Sequence, residues 1–173
     1  MLEILQTLYR YHSQSTARLL DALAPLSAAD LEAPGCSGHG SIRDTLAHLI
    51  ATQWGWFSWF DGSMPPAESY ALAGSRTKEI DSLEKARTRW AEVDRQTQRC
   101  VAALTEDALR SEWSWSTPSG LHVALPLWQL MTHVANHGTH TRAQIIAAIR
   151  RSGRAPGNYE FLMFAIGEHA APR

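Results

Sequence analysis

Cysteine is almost absent: Cys36 and Cys100 are the two in a chain of 173 residues. So sparse a use excludes a disulfide framework and a thiolate metal site, and both are expected as free thiols, Cys36 in a loop and Cys100 within a helical pattern. Glycine is scarce as well, 11 residues in a composition that is 45% hydrophobic and 19% charged, which argues against a long disordered tail or a low-complexity segment. A basic excess is missing. The formal net charge is -1, which exerts no pull on a phosphate backbone, so nucleic acid is not an expected partner. No stretch is apolar for the ~20 residues that a membrane span needs, and residues 1–10 lack the basic, apolar and small-residue regions of a signal peptide. The expected location is therefore the cytoplasm, with no membrane partner. Also missing are a Ser-His-Asp order, a Gly-rich phosphate loop and a paired-carboxylate signal. The length suits one domain, residues 1–173.

What is present is helical periodicity. Leu2, Leu5, Leu8, Tyr9, Thr16, Leu19, Leu20 and Leu23 recur mostly three or four apart, which predicts an amphipathic helix from Leu2 to about Ala24, stopped by Pro25. Ser27-Ala28-Ala29-Asp30 offers a cap and a short turn, and the glycines of residues 34–40 make a loop. Ser41 can cap a second helix with Asp44 in its first turn, running through Ile42, Leu46, Leu49, Ile50, Trp54, Phe57 and Phe60 to Asp61-Gly62. Met64-Pro65-Pro66 opens a long connection to about residue 80, expected as a functional or crossover loop. A third long helix follows from about Asp81 to Leu104, with Trp90, Val93 and Val101 on its apolar side. Trp113-Ser114-Trp115 and Leu121-His122-Val123-Ala124 alternate around Thr117-Pro118-Ser119-Gly120, which predicts a small β-hairpin. The fourth long helix runs from Leu127 to about Arg151 and is closed by Ser152-Gly153; a short helix from about Tyr159 to Glu168 packs back on the rest. The expected fold is all-α, a four-helix bundle with a small β-hairpin before the last long helix, and such bundles commonly host metal ligands on facing helices.

His133, His137 and His140 fall within eight residues of one helix, in a chain with eight histidines. At about 100° per residue, His137 lies about 40° to one side of His133 and His140 about 20° to the other, so one stripe carries all three, and Gln144 continues it. Imidazoles at i and i+4 can converge on one divalent ion, and His133 and His137 have that spacing. His48, inside the second helix, is the best candidate for a third ligand from another helix. Three protein ligands leave a position for water, the arrangement of a catalytic site. His12, His39, His122 and His169 lack such company and read as surface or packing residues. Trp54, Trp56, Phe57, Trp59 and Phe60, with Trp113, Trp115 and Trp128, read first as core; the functional alternative is an aromatic wall over a metal pocket or an apolar subunit interface.

The stretch from His133 to Gln144, His133-Val134-Ala135-Asn136-His137-Gly138-Thr139-His140-Thr141-Arg142-Ala143-Gln144, resembles the DinB family, within the DinB/YfiT-like metalloenzymes. Two further segments share the resemblance, Asp44-Thr45-Leu46-Ala47-His48-Leu49-Ile50 upstream and Gly157-Asn158-Tyr159-Glu160-Phe161-Leu162-Met163-Phe164 at the end. The resemblance spans nearly the whole chain. It implies a bundle of up-down-down-up type, a homodimer, and three histidines binding zinc, nickel or another divalent metal. The family's motif usually carries a histidine just before the arginine, and here that position is Thr141. Threonine is a poor ligand for zinc or nickel, so either His133 or His140 completes the set or the site is degenerate. The i, i+4 geometry favours His48, His133 and His137.

Two functions follow as expectations. One is a metal-dependent hydrolase or thiol-dependent transferase, in which a His-bound metal activates water or a small thiol toward a small-molecule substrate. Asn136 and Gln144 would then orient a histidine ring or a water, and Arg142 would hold a substrate carboxylate or, the favoured reading, a structural ion pair. The other is a non-catalytic metal-binding or stress-response dimer.

Overall fold

The Ser41 hydroxyl accepts a hydrogen bond from the Asp44 amide at 3.0 Å and so starts the helix that organises the molecule. The computed structural model describes residues 1–36, 39–117 and 119–170, with the backbone alone for residues 169 and 170. Its helices are α1 (Leu2–Leu23), α2 (Ala28–Glu32), α3 (Ile42–Phe60), α4 (Pro66–Arg76), α5 (Leu83–Ala102), α6 (Glu106–Arg110), α7 (Leu127–Arg151) and α8 (Phe161–Ala170). Strands β1 (Glu112–Ser116) and β2 (His122–Pro126) pair antiparallel between α6 and α7, with Trp113 opposite Leu125 and Trp115 opposite Val123. Serine and threonine caps mark three further helix starts. Ser27 and Asp30 form a capping box on α2, Ser82 accepts from the Lys85 amide at the head of α5, and Thr105 accepts from the Ala108 amide at the head of α6.

Helices α1 and α3 each pack against both α5 and α7, the ring of a four-helix bundle. The directions follow from two apolar clusters. Leu19 and Leu23 at the end of α1 lie with Leu46 and Ile50 of the first half of α3, Ala86 and Trp90 of the first half of α5, and Ile145 and Ile149 near the end of α7. The second cluster joins Leu5 and Tyr9 from the start of α1 to Phe57 and Phe60 from the end of α3, Val101 from the end of α5, and Leu130 and Val134 from the first half of α7. Helices α1 and α7 thus run toward the first cluster and α3 and α5 away from it, the up-down-down-up arrangement that the resemblance implies.

Because α3 and α5 are parallel, their connection must return along the bundle, and this is where the sequence reading needs correction. Residues 66–79 are not a loop: α4 and a 3₁₀ turn over Thr77–Glu79 fill the crossover. Pro66 sits within the first turn of α4, where its missing amide costs nothing. Gly55 lets α4 lie close on α3, since a Cβ there would come within 3.1 Å of the Ala73 Cβ and 3.2 Å of the Ser69 carbonyl oxygen. The short α6 is likewise absent from the sequence reading. Residues Ser37, Gly38 and Pro118, which that reading put in a loop and a hairpin turn, and the His169 side chain lie outside the described residues. Among the described residues no helix is long and apolar enough to cross a membrane.

Candidate metal centre

Helices α3 and α7 are neighbours, and their contact brings together two histidines 89 residues apart in the chain: His48 Nε2 lies 3.0 Å from His137 Nε2. Both rings are half-buried. Burial, and then the neighbouring His39, push His48 down to about 4. Burial pushes His137 down to about 4 as well, helped by His48, His133, His140 and His39 in that order. At neutral pH both imidazoles are therefore uncharged, the form in which a ring nitrogen has a lone pair to give. The Thr52 hydroxyl, one turn on from His48, lies 3.4 Å from its Nδ1, where it restrains the ring's rotation.

A tetrahedral ion bound at about 2.0–2.1 Å to two imidazole nitrogens holds them about 3.3–3.4 Å apart. The observed separation is a few tenths of an ångström short of that, a gap that small side-chain rotations close. The donor chemistry of this pair thus fits a divalent ion. A third donor does not fall into place by itself: among the described residues no three His, Cys, Asp or Glu side chains already converge as a ligand set. His133, predicted as that donor, is exposed, with its ring centroid 6.4 Å from that of His137 and edge-on to Trp56 at 5.6 Å. His140 is exposed and its Nε2 accepts from Gln144 at 3.0 Å, so Gln144 does orient a histidine ring, though one outside the pair. Asn136 is exposed. Thr141 is buried, and its hydroxyl donates to the His137 carbonyl at 2.8 Å. It faces the helix backbone rather than the imidazoles.

The residue that sequence reasoning missed is His39. Its ring stacks on His48 with centroids 3.8 Å apart and 23° between the planes. A single histidine in a glycine-rich loop carries no periodicity, so only the fold reveals this contact.

Trp56, Trp59, Phe60, Trp113 and Trp115 form an aromatic cluster, tilted among the α3 rings and edge-to-face between α3 and the hairpin, with centroid separations from 5.2 to 5.9 Å. It continues into His133 through Trp56, and so builds a half-buried wall beside the imidazoles. Trp54 stands apart, beneath the Arg76 guanidinium at 3.7 Å.

Below the pair runs a buried polar layer that separates the two apolar clusters and draws on all four long helices. Arg142 Nη1 donates to His12 Nδ1 at 2.8 Å. Arginine only donates, so that nitrogen is unprotonated and the ring's proton sits on Nε2, which donates to the Gln53 side-chain oxygen. Gln53 in turn donates to the Thr97 hydroxyl at 2.9 Å. Arg142 also donates to Thr16 at 3.3 Å and Thr139 at 3.1 Å, and its guanidinium lies 5.5 Å over the Tyr11 ring. The expected ion pair is therefore corrected: among the described residues no carboxylate pairs with Arg142, which is 2% exposed and held by neutral acceptors and an aromatic face. Gly138 makes the layer possible, because a Cβ there would fall 2.0 Å from His12 Cε1.

Comparison with known proteins adds two findings. A family model described as the DinB family matches residues 1–171. Protein DinB of Bacillus subtilis (strain 168) is 27% identical over 165 residues, covering 91% of this chain and 92% of that protein.

Proposed function

The chain belongs to the DinB family, and from that premise we propose that it binds a divalent metal, zinc or nickel, through His48 and His137. Divalent-metal binding is frequent in this family. The observation that carries the reading is the facing pair itself: two neutral Nε2 atoms from different helices at 3.0 Å. Helical spacing alone would make His133, one turn before His137, the third donor, but its ring is engaged edge-on by Trp56, so the proposal rests on the pair. When bound, such an ion lowers the pKa of a water or small thiol at its open position, the chemistry of a metal-dependent hydrolase or a thiol-dependent transferase.

The chain's own residues supply the rest. Thr52 restrains the His48 ring, and the wall from Trp56 to Trp115 excludes water on one side and offers apolar surface to the carbon skeleton of a small substrate. A second copy of the chain is the proposed partner. Phe161, Leu162, Met163 and Ile166 on α8 remain 42–66% exposed, an apolar face of the kind that subunit contacts cover.

The test is elemental analysis of protein purified without an affinity tag, comparing wild type with His48→Ala and His137→Ala. Near-stoichiometric metal in wild type and its loss in both variants, with helical content retained, is the expected result. Wild type that takes up neither zinc nor nickel overturns the reading. One observation favours a second reading, a non-catalytic dimer with a degenerate site: the Thr141 hydroxyl is committed to the backbone. Thiol-dependent turnover that disappears in His137→Ala decides for the enzyme; metal bound without turnover across a panel of thiols decides for the binding protein.

A further inference from the structure

The His48–His137 pair already has another imidazole against it, and it does not come from α7. His39 lies in ring-to-ring contact with His48 at 3.8 Å, whereas His133 is engaged by Trp56 and stands 6.4 Å from its nearer partner. The described backbone near His39 is held in place. The Gly35 and Cys36 amides donate to the Gly40 carbonyl at 2.9 and 3.0 Å, and the Gly40 amide returns to the Cys36 carbonyl at 3.2 Å. Gly35 and Gly40 adopt φ of +113° and +87°, which suits residues without a Cβ. Cys36 is buried and its sulfur accepts from the Thr45 hydroxyl at 3.2 Å, which ties this segment to the first turn of α3. From the other side, Arg151 at the end of α7 donates to the Gly35 carbonyl. His39 is thus an exposed side chain on an anchored backbone. Such a residue is free to change rotamer, and its stack on His48 keeps the ring beside the His48–His137 pair.

We infer that His39 is the third donor of the metal site, so that the ligand set is His39, His48 and His137, built from a loop and two helices rather than from one histidine on α3 and two on α7. This rests on the metal reading above. The consequence for His133 is that it stays with Trp56 as part of the aromatic wall. Three imidazoles carry no charge, so the set leaves both positive charges of the ion to be balanced by what binds at the open position, a preference for an anionic ligand such as a thiolate or carboxylate.

The experiment is equilibrium binding of zinc and of cobalt(II) to the full chain by titration calorimetry, with the visible absorption of cobalt(II) as a direct report of its coordination. Wild type is compared with His39→Ala, His39→Gln and His133→Ala, each checked by circular dichroism. His39→Gln keeps a polar side chain of similar reach without the imidazole. Both His39 variants are expected to lose about 100-fold or more in affinity, at least the loss that removing an outer-shell partner of a ligand causes, and to change the cobalt spectrum. His133→Ala is expected to bind as wild type does, with its spectrum unaltered. Loss in His133→Ala with unchanged binding in both His39 variants overturns the inference and leaves the metal reading intact. Wild type that binds neither ion overturns the metal reading, and the inference falls with it.

Discussion

His12 is the residue on which most of the interior polar chemistry converges, and its behaviour yields two predictions. Burial, and then the charge of Arg142, hold its pKa well below the ordinary value. The folded protein therefore keeps it neutral, while the unfolded chain takes up a proton as pH falls through about 6.5. Acid thus favours the unfolded state, and stability is lost as pH drops from about 6.5 toward the depressed value, by at most about 1.4 kcal/mol per pH unit for one proton. Denaturant midpoints measured between pH 7 and 5 are expected to fall more steeply in wild type than in His12→Gln; equal slopes would remove His12 as a source. Gly138 is its counterpart. Glycine within a helix costs about 1 kcal/mol relative to alanine, so by propensity alone Gly138→Ala should stabilise α7. A Cβ at residue 138 would overlap His12 Cε1 and Nδ1, which reverses that sign. A net loss of about 2 kcal/mol is expected from overpacking and broken hydrogen bonds, and the same substitution in a His12→Ala background is expected to be neutral or stabilising in denaturant titrations. Sequence spacing could not reach this layer. His12 stands alone on α1, and nothing in the primary structure links it to Arg142, 130 residues away.

Helices with a strong start signal were the legible elements. Ser41 caps α3 as its sequence implies, and Ser41→Ala is expected to cost about 1 kcal/mol in thermal or chemical unfolding, with the helix retained in the native state. The four long helices and the hairpin lie close to their predicted bounds because their apolar residues face one core at helical spacing, or alternate across a strand. Helix α4 escaped notice for the opposite reason. Most of its residues are exposed and Ser69 is its one buried residue, so its pattern lacks an apolar stripe, while Pro65-Pro66 reads as a turn unless the second proline is recognised as a first-turn residue. The same contrast divides the candidate site. His48 and His137 sit on periodic helices and could be paired from the sequence, whereas His39 lies between helices, beside Gly40, where no periodicity announces its contact with His48.

At the scale of the whole molecule, the outward face of α8 bears on assembly. Leu162 and Ile166 are 66% and 52% exposed. Leu162→Arg combined with Ile166→Arg is expected to halve the apparent mass in sedimentation or light scattering while leaving the helical signal unchanged; a wild type that is already monomeric would discard the pairing. The up-down-down-up order has a further consequence, which concerns time. His48 belongs to the second long helix and His137 to the fourth, 89 residues later. At synthesis rates of about 5–20 residues per second, His48 leaves the ribosome on the order of 10 s before its partner exists. For that interval the nascent chain presents half of a pair, and an ion captured by it would have no second helix to close over it. On the metal reading proposed above, the site is thus complete only after the last long helix has docked.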